Sequence, residues 1–468
     1  MSSIRIFKHH IRVPYLLLGL LELCAFIAST YIGTLIRFGT MDPTGQDPAS
    51  PLIIRALVVG AAFIISMVAM GLYQARLREG LTGMLIRSAI SFVLGSIILS
   101  LCFFLFPTLL IGRGVFIVTI TIAFLSIACI RWCFTRLVDE KILKRRVLVL
   151  GAGRRANNIC QRLRRKSDRR GFTIIGFMHI ANEADAVVNE AIIHHQGSLL
   201  EYAVDNRIDE IVVAVDDRRK NFPINELLDC KLSGIEVVDI LTFFERETGK
   251  IELELLHPSW MVFSDGFSQS NLRTYSERLF DIVTSLALLC FAWPLMAFAV
   301  IGIWLEEGLK APIFYRQHRV GLNGKVFDVL KFRSMRIDAE KSGKAQWATQ
   351  NDPRITRTGR IIRKYRIDEL PQILNVLKGD MGFVGPRPER PEFVANLKEK
   401  ISYYDERHRI KPGIAGWAQL CYPYGASDND ARHKLEYDLY YVKNHSLFLD
   451  ILILIQTVEV ILFGKGAR

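Results

Sequence analysis

A chain of 468 residues exceeds one ordinary domain, and 50% hydrophobic content with a mean hydropathy of +0.22 excludes an ordinary soluble protein of this size. The net charge of +13 suits nucleic acid, an anionic membrane face or phosphorylated substrates equally, so charge by itself selects none of them. The eight cysteines include no C-x-x-C pair and no Cys/His cluster at zinc spacing, so they read as buried free thiols and no structural metal is expected.

Four apolar segments open the chain, at 14–36, 52–73, 84–106 and 115–137, each close to the ~20 residues that a bilayer requires. The first is too long, and carries Glu22, for a cleaved signal peptide. Basic residues gather before the first span (Arg5, Lys8, Arg12), between the second and third (Arg76, Arg78, Arg87) and after the fourth (Arg136, Lys141, Lys144, Arg145, Arg146). The positive-inside rule then puts both ends of this four-helix transmembrane bundle, residues 1–140, on the cytoplasmic side. Glu22 is expected to bond a neighbouring helix rather than to mark a polar path.

From residue 145 to 247 the pattern becomes strand and helix in alternation: RVLVLG, a helix through Ile159 and Leu163, FTIIGFM, DEIVVAV and IEVVDI. This is a Rossmann-like, doubly wound α/β domain. Its first turn, GAGRRA, sets Gly151, Gly153 and Ala156 at dinucleotide spacing, but any tight strand-to-helix turn needs the same glycines. The second strand ends at Met178 and His179 without a ribose-binding acid, so the expectation is a structural turn. The basic run 162–170 reads as a solvated face near anionic headgroups.

A fifth apolar run, within 275–310, is interrupted by Pro294. Were it to cross, the basic residues after it (Lys310, Arg316, Arg319, Lys325, Lys331, Arg333) would lie outside, against the rule that orients the first four spans. A re-entrant helix with Pro294 at its vertex, anchored by Arg278 and Lys310, is therefore expected, with a kinked spanning helix as the alternative.

Residues 311–468 form a last domain of mixed α/β elements. If KVFDVLKFR is a strand, Lys331 and Arg333 share one face and could hold a diphosphate, although an exposed basic strand would look the same. In the stretch 363–389, RKYRIDELPQILNVLKGDMGFVGPRPE, a helix is predicted from Asp368, as its N-cap, to Gly379. A helix N-terminus favours a phosphate, and Arg360, Arg363, Lys364, Arg366 and Arg387 crowd the same stretch. Each piece also has an ordinary meaning, a cap for Asp368 and a rigid turn for Pro386-Arg387-Pro388. The tail 447–463 carries Asp450, Gln456 and Glu459, which points to an amphipathic interfacial helix rather than a span. Tyr403, Tyr404, Trp417, Tyr437, Tyr440 and Tyr441 read mainly as packing residues.

RIDELPQ, GDMGFVGPRPE, the upstream KFRSM and the downstream KPGIAGWAQ, in this order, resemble the bacterial sugar transferases that move a hexose 1-phosphate onto a polyprenyl phosphate. The resemblance runs from about 277 to about 462, and the four preceding spans match the long form of the family. It implies transfer from a UDP-hexose, glucose or galactose, to undecaprenyl phosphate with release of UMP, as the first membrane step of exopolysaccharide synthesis. It further implies Asp368 as nucleophile, Glu369 with Asp368 as ligands of Mg²⁺, and phosphate binding by Lys331, Arg333 and Arg363. Pro386, Arg387, Pro388 and Glu389 would border the nucleotide. The implied place is the bacterial inner membrane, multi-pass, with the catalytic domain cytoplasmic and no nucleic-acid partner; a homodimer is a hypothesis. Gly382 departs from the family, which commonly has Ser there.

Two rivals stand beside this reading. An NAD-dependent nucleotide-sugar dehydratase or epimerase needs Tyr-x-x-x-Lys, whereas Tyr202 is followed four residues later by Asn206. A non-catalytic scaffold for polysaccharide assembly predicts that Asp368→Asn is harmless.

Overall fold

The computed structural model describes residues 3–6, 9–40, 51–73, 81–139, 144–165, 168–169, 171–180, 183–187, 192–195, 197–217, 222–264, 266–267, 271–336, 354–422, 425 and 427–462. Lys8, Arg76, Arg78, Lys141 and the polar linker 337–353 fall outside these residues, as do parts of the basic run 162–170 and the side chain of Glu459. Among the described residues, five helices are long and apolar enough to cross a membrane. With a parallel sheet, they make this a multi-pass membrane α/β protein. Contacts divide the chain into two compact units, His10–Thr248 and Gly249–Arg468, with the extreme N-terminal residues shared between them.

A short hairpin, β1 (Ser3–Ile6) and β2 (His9–Arg12), precedes the first helix and was not legible in the sequence. Helices α1 (Val13–Phe38), α2 (Leu52–Ala69), α3 (Leu81–Leu105) and α4 (Arg113–Asp139) follow the four predicted segments. Phe26, Phe63 and Phe92 form their common core, with ring centroids 5.1 and 4.8 Å apart in successive pairs. Glu22 of α1 is fully buried and forms a two-point ion pair with Arg131 of α4, at 2.7 and 2.9 Å. The Tyr73 hydroxyl donates to the same carboxylate, and Arg131 also reaches the Leu72 carbonyl at 3.1 Å. The expected interhelical bond is thus an ion pair, and it also fixes the chain leaving α2.

The α/β part runs β3 (Arg145–Leu150), α5 (Arg154–Arg162), β4 (Phe172–Met178), β5 (Ile192–Ile193), α6 (Leu199–Asp205), β6 (Glu210–Val213), α7 (Ile224–Leu232), β7 (Glu236–Asp239) and α8 (Ile240–Thr248). All strands pair in parallel, in the order β5-β4-β3-β6-β7. After their charged first residues, the central β3 and β6 read as apolar runs at 147–150 and 211–213 because both faces are covered. Strand β5, only two residues long, carries no pattern that a sequence reading could detect.

The second unit begins with α9 (Pro258–Phe263) and α10 (Asn271–Glu307). Helix α10 is one continuous helix with Pro294 inside it, rather than two helices joined by a break. Its two ends dock on two other helices, α11 (Arg357–Lys364) and α12 (Gln372–Lys378). Glu306 accepts the Arg357 and Thr358 N–H groups, both at 2.7 Å, and so caps the start of α11. Arg278 donates to the Val376 carbonyl at 2.6 Å and to the Leu377 carbonyl, and so caps the end of α12. Each charge complements the dipole of the helix end it meets. Arg278, expected as a headgroup anchor, is therefore committed to protein carbonyls.

An antiparallel pair, β8 (Phe314–Val320) and β9 (Val326–Phe332), lies beside them. Strand β10 (Gly382–Val384), α13 (Pro391–Lys400), β11 (Gly413–Ala415), α14 (Trp417–Cys421), α15 (Asp428–Asn444) and α16 (Leu447–Leu462) complete the unit, with β10 parallel to β11. In α16 the polar residues face inward: Asp450 and Gln456 are buried, Tyr441 donates to Asp450 at 2.5 Å, and Ile451 and Val458 are exposed. The helix expected to lay one apolar face on the interface instead buries Asp450 and Gln456 beside Leu449 and Ile453 and leaves Ile451 and Val458 outward. Tyr404, Tyr437, Tyr440 and Tyr441 are buried packing residues.

Candidate functional site

Between α11 and α12 the chain makes a single 3₁₀ turn, Ile367–Glu369, entered through Arg366 in the left-handed region (φ 58°, ψ 19°). Ile367 anchors the turn in a cluster with Ala299, Ile303, Phe332 and Ile362, so α10 and β9 build its floor. The predicted helix start is displaced: α12 begins at Gln372 after Pro371, and Asp368 is not its cap. Proline has no N–H to donate back to Ile367, which favours a tight turn followed by a new helix. The predicted end at Gly379 stands, since its φ of +97° is one that glycine adopts without cost.

Asp368 is buried, at 8% exposed, and Glu369 lies beside it. One oxygen of Glu369, Oε1, faces three cations: Arg387 at 3.0 Å, Lys331 at 3.2 Å and Arg366 at 3.5 Å. Burial and the neighbouring Glu369 charge push the Asp368 carboxyl up to about 6, against the pull of Lys331, Arg363 and Arg366. Burial also acts on Glu369, but Lys331, Arg387 and Arg366 outweigh it and hold that carboxyl far below the usual range. Lys331 is lowered by its own burial, with Glu369 opposing. Two adjacent acids thus have well-separated proton affinities, in a site where four cations surround two carboxylates.

The Pro386-Arg387-Pro388 segment reaches Glu369 because its backbone is held on both sides. Gly413 N–H donates to the Pro386 carbonyl at 3.1 Å, Arg407 to the Arg387 carbonyl at 2.9 Å, and Arg319 to the Pro388 carbonyl at 3.0 Å. Glu389 pairs with Arg319 at 3.4 Å and its carbonyl accepts Val320 N–H at 2.9 Å. Arg407 is itself buried between Asp438, at 2.8 Å, and the Tyr404 hydroxyl, at 2.7 Å. Lys331 and Arg333 do not act as a pair: β9 ends at Phe332, and the Arg333 guanidinium turns to the Pro312 carbonyl at 3.0 Å. Arg363 lies close enough to act on the Asp368 charge. Arg366, read from the sequence as one of the basic residues crowding this stretch, is assigned a place beside Glu369 by the structure, whereas Arg319 and Arg407 were not placed at the site by sequence reasoning.

In the α/β domain the glycine turn is already filled. Asp216, just past β6, accepts the Arg154 and Arg155 N–H groups at 2.9 and 2.8 Å at the start of α5. Glu183 accepts Asp216 N–H at 2.8 Å. A Cβ on Gly153 would lie 2.5 Å from an oxygen of each acid, so the space that a pyrophosphate would approach holds two carboxylates.

A membrane α/β protein whose second unit holds a charge-compensated carboxylate pair beside a proline-bracketed arginine is a class suited to handling anionic phosphorus. Residues 272–464 match the family described as bacterial sugar transferase, and residues 68–221 match one described as CoA-binding domain. The undecaprenyl-phosphate galactose phosphotransferase of Salmonella typhimurium is 30% identical over 345 residues, covering 70% of this chain and 70% of its own. The UDP-N-acetylgalactosamine-undecaprenyl-phosphate N-acetylgalactosaminephosphotransferase of Aeromonas hydrophila is 42% identical over 242 residues, 52% of this chain and 56% of its own. The undecaprenyl-phosphate glucose phosphotransferase of Komagataeibacter xylinus is 30% identical over 333 residues, 69% of this chain and 60% of its own. The chain thus spans less than two thirds of the length of those last two relatives. It belongs to the bacterial sugar transferase family, in its long form. The CoA-binding description does not fit the residues present, because Asp216 and Glu183 occupy the anion position of the turn.

Proposed function

We propose that the protein transfers a hexose 1-phosphate from a UDP-sugar to undecaprenyl phosphate, releasing UMP, through a covalent intermediate on Asp368. The observation that carries this reading is the asymmetry of the dyad: one Glu369 oxygen faces three cations, while the adjacent Asp368 is buried, and burial with the neighbouring charge raises its carboxyl above the usual range. Two carboxylates pushed apart in this way take two roles. An Asp368 oxygen attacks the sugar-bearing phosphorus, forming an acyl phosphate as the bond to UMP breaks; an oxygen of the lipid phosphate then attacks the same phosphorus and releases Asp368. Arg387, Lys331 and Arg366 lower the repulsion that an anion meets on approaching that centre. Lys331, Arg363 and the 386–389 segment would hold the diphosphate and the nucleotide; Arg333, bonded to Pro312, would have to turn to join them.

Among the described residues no group of three or more His, Cys, Asp or Glu is arranged to hold a metal. Mg²⁺ needs no such cage, since it keeps water and substrate phosphate with one or two carboxylates, so Asp368 and Glu369 fit it. When bound, the ion would neutralise charge on the diphosphate.

The membrane arrangement follows the same reading. Arg278 and Glu306 lie on one helix and would stand about 42 Å apart if it were straight, yet both cap helices that flank the dyad. A bend at Pro294, with both ends returning to the cytoplasmic face of the inner membrane, accounts for that and keeps the dyad at headgroup depth. Four N-terminal spans and a Rossmann-like domain complete the reading. The sugar is left open, because the relatives named above differ in theirs: galactose, N-acetylgalactosamine and glucose.

The test offers purified protein a panel of UDP- and GDP-sugars with undecaprenyl phosphate and Mg²⁺ and follows nucleoside monophosphate release. UMP release from one UDP-sugar, with label from that donor trapped on Asp368, is expected. Turnover that persists in Asp368→Asn would sink the covalent step, and absence of nucleotide release from every donor would return the scaffold reading.

A further inference from the structure

Asn375, in α12, carries the hydrogen-bonding groups of a peptide at the end of a side chain. Its Nδ2 donates to the Asp328 carbonyl at 2.7 Å, and its Oδ1 accepts Leu330 N–H at 3.0 Å. Both partners belong to β9, which among the described residues pairs with no strand but β8. In an antiparallel ladder, residues two apart present their N–H and C=O groups to the same edge. The carboxamide therefore stands where a third strand would, and it is buried at 7% exposed. Lys331 follows Leu330 directly, and its Nζ meets Glu369 at 3.2 Å. A single amide thus ties the strand that carries the lysine to the helix that follows the dyad.

We infer that Asn375 is a positioning residue: by bonding Asp328 and Leu330 it sets the separation of Lys331 from Glu369, and with it the charge balance around Asp368. This rests on the reading of Asp368 and Glu369 as the reacting pair. Asn375→Asp keeps the shape and loses the donor, and places a charge against the Asp328 carbonyl. Asn375→Leu keeps the branched shape and loses both bonds. A displacement of about 1 Å at a reacting centre costs on the order of 100-fold in rate.

The experiment measures UMP release by Asn375→Asp and Asn375→Leu in the wild-type and Lys331→Met backgrounds, with thermal melting of each. A loss of about 10- to 100-fold is expected in the wild-type background, shrinking to less than about 3-fold where Lys331 is already gone. Wild-type rates in either variant, or the same loss in both backgrounds, would overturn the inference. So would failure of both variants to fold, since the amide would then be purely structural. A second readout needs no turnover: the ¹³C resonance of reductively methylated Lys331, identified by its absence in Lys331→Arg, moves in Asn375→Asp if the inference holds and stays if it does not. Absence of UMP release from the wild type would strike the transferase reading, while the resonance still decides the role of Asn375.

Discussion

At the scale of single residues, the dyad ties activity to stability with opposite signs. The folded value of Asp368, about 6, lies above the ordinary 3.8, so the folded protein binds that proton more tightly than the unfolded chain does. The resulting stability is present below about pH 4 and is lost as pH rises through about 6. Asp368→Asn should therefore melt higher than the wild type at pH 8 in EDTA, by on the order of 1–3 kcal/mol, while releasing no UMP. Equal melting at pH 8 would count against burial as the cause of the shift. The pH profile of UMP release should fall on the acid side near 6, and Glu369→Gln, which removes a like charge, should move that limb downward. Asp368, Glu369, Lys331 and Arg387 were legible in the sequence because they sit in short, distinctive motifs. Arg407 and Asn375 were not, because both work through contacts 20 to 47 residues away.

At the scale of elements, helices were legible where apolar spacing sets them, and boundaries were misread where a local backbone rule intervened. The four N-terminal helices match their segments to within a few residues. Helix α12 lost its first turn to Pro371, and the basic strand β9 stopped one residue short of Arg333. Nor does the sequence say that the ends of α10 serve as caps for α11 and α12. Removing one cap gives a measurable cost. Arg278→Met leaves two carbonyls at the end of α12 without their charged donor and should lower stability by about 1–3 kcal/mol. A thermal melt within about 1 °C of wild type would mean that water replaces the guanidinium without loss.

At the scale of the whole molecule, the sheet order of the α/β domain could not be read from its strands, and neither could the fate of its glycine turn. That fate makes a prediction. The full chain should give no titration heat with CoA at pH 7.5, because the anion position already holds Asp216 and Glu183. A micromolar isotherm would show that these acids swing aside. The ion pair inside the first unit has a consequence of another kind, for biogenesis. Glu22 and Arg131 are 109 residues apart, so at about 5–20 residues per second the acid emerges from the ribosome some 5 to 20 seconds before its partner. Insertion of the first helix precedes any ionic compensation for its carboxylate, and only arrival of the fourth commits the nascent segment to its final assembly.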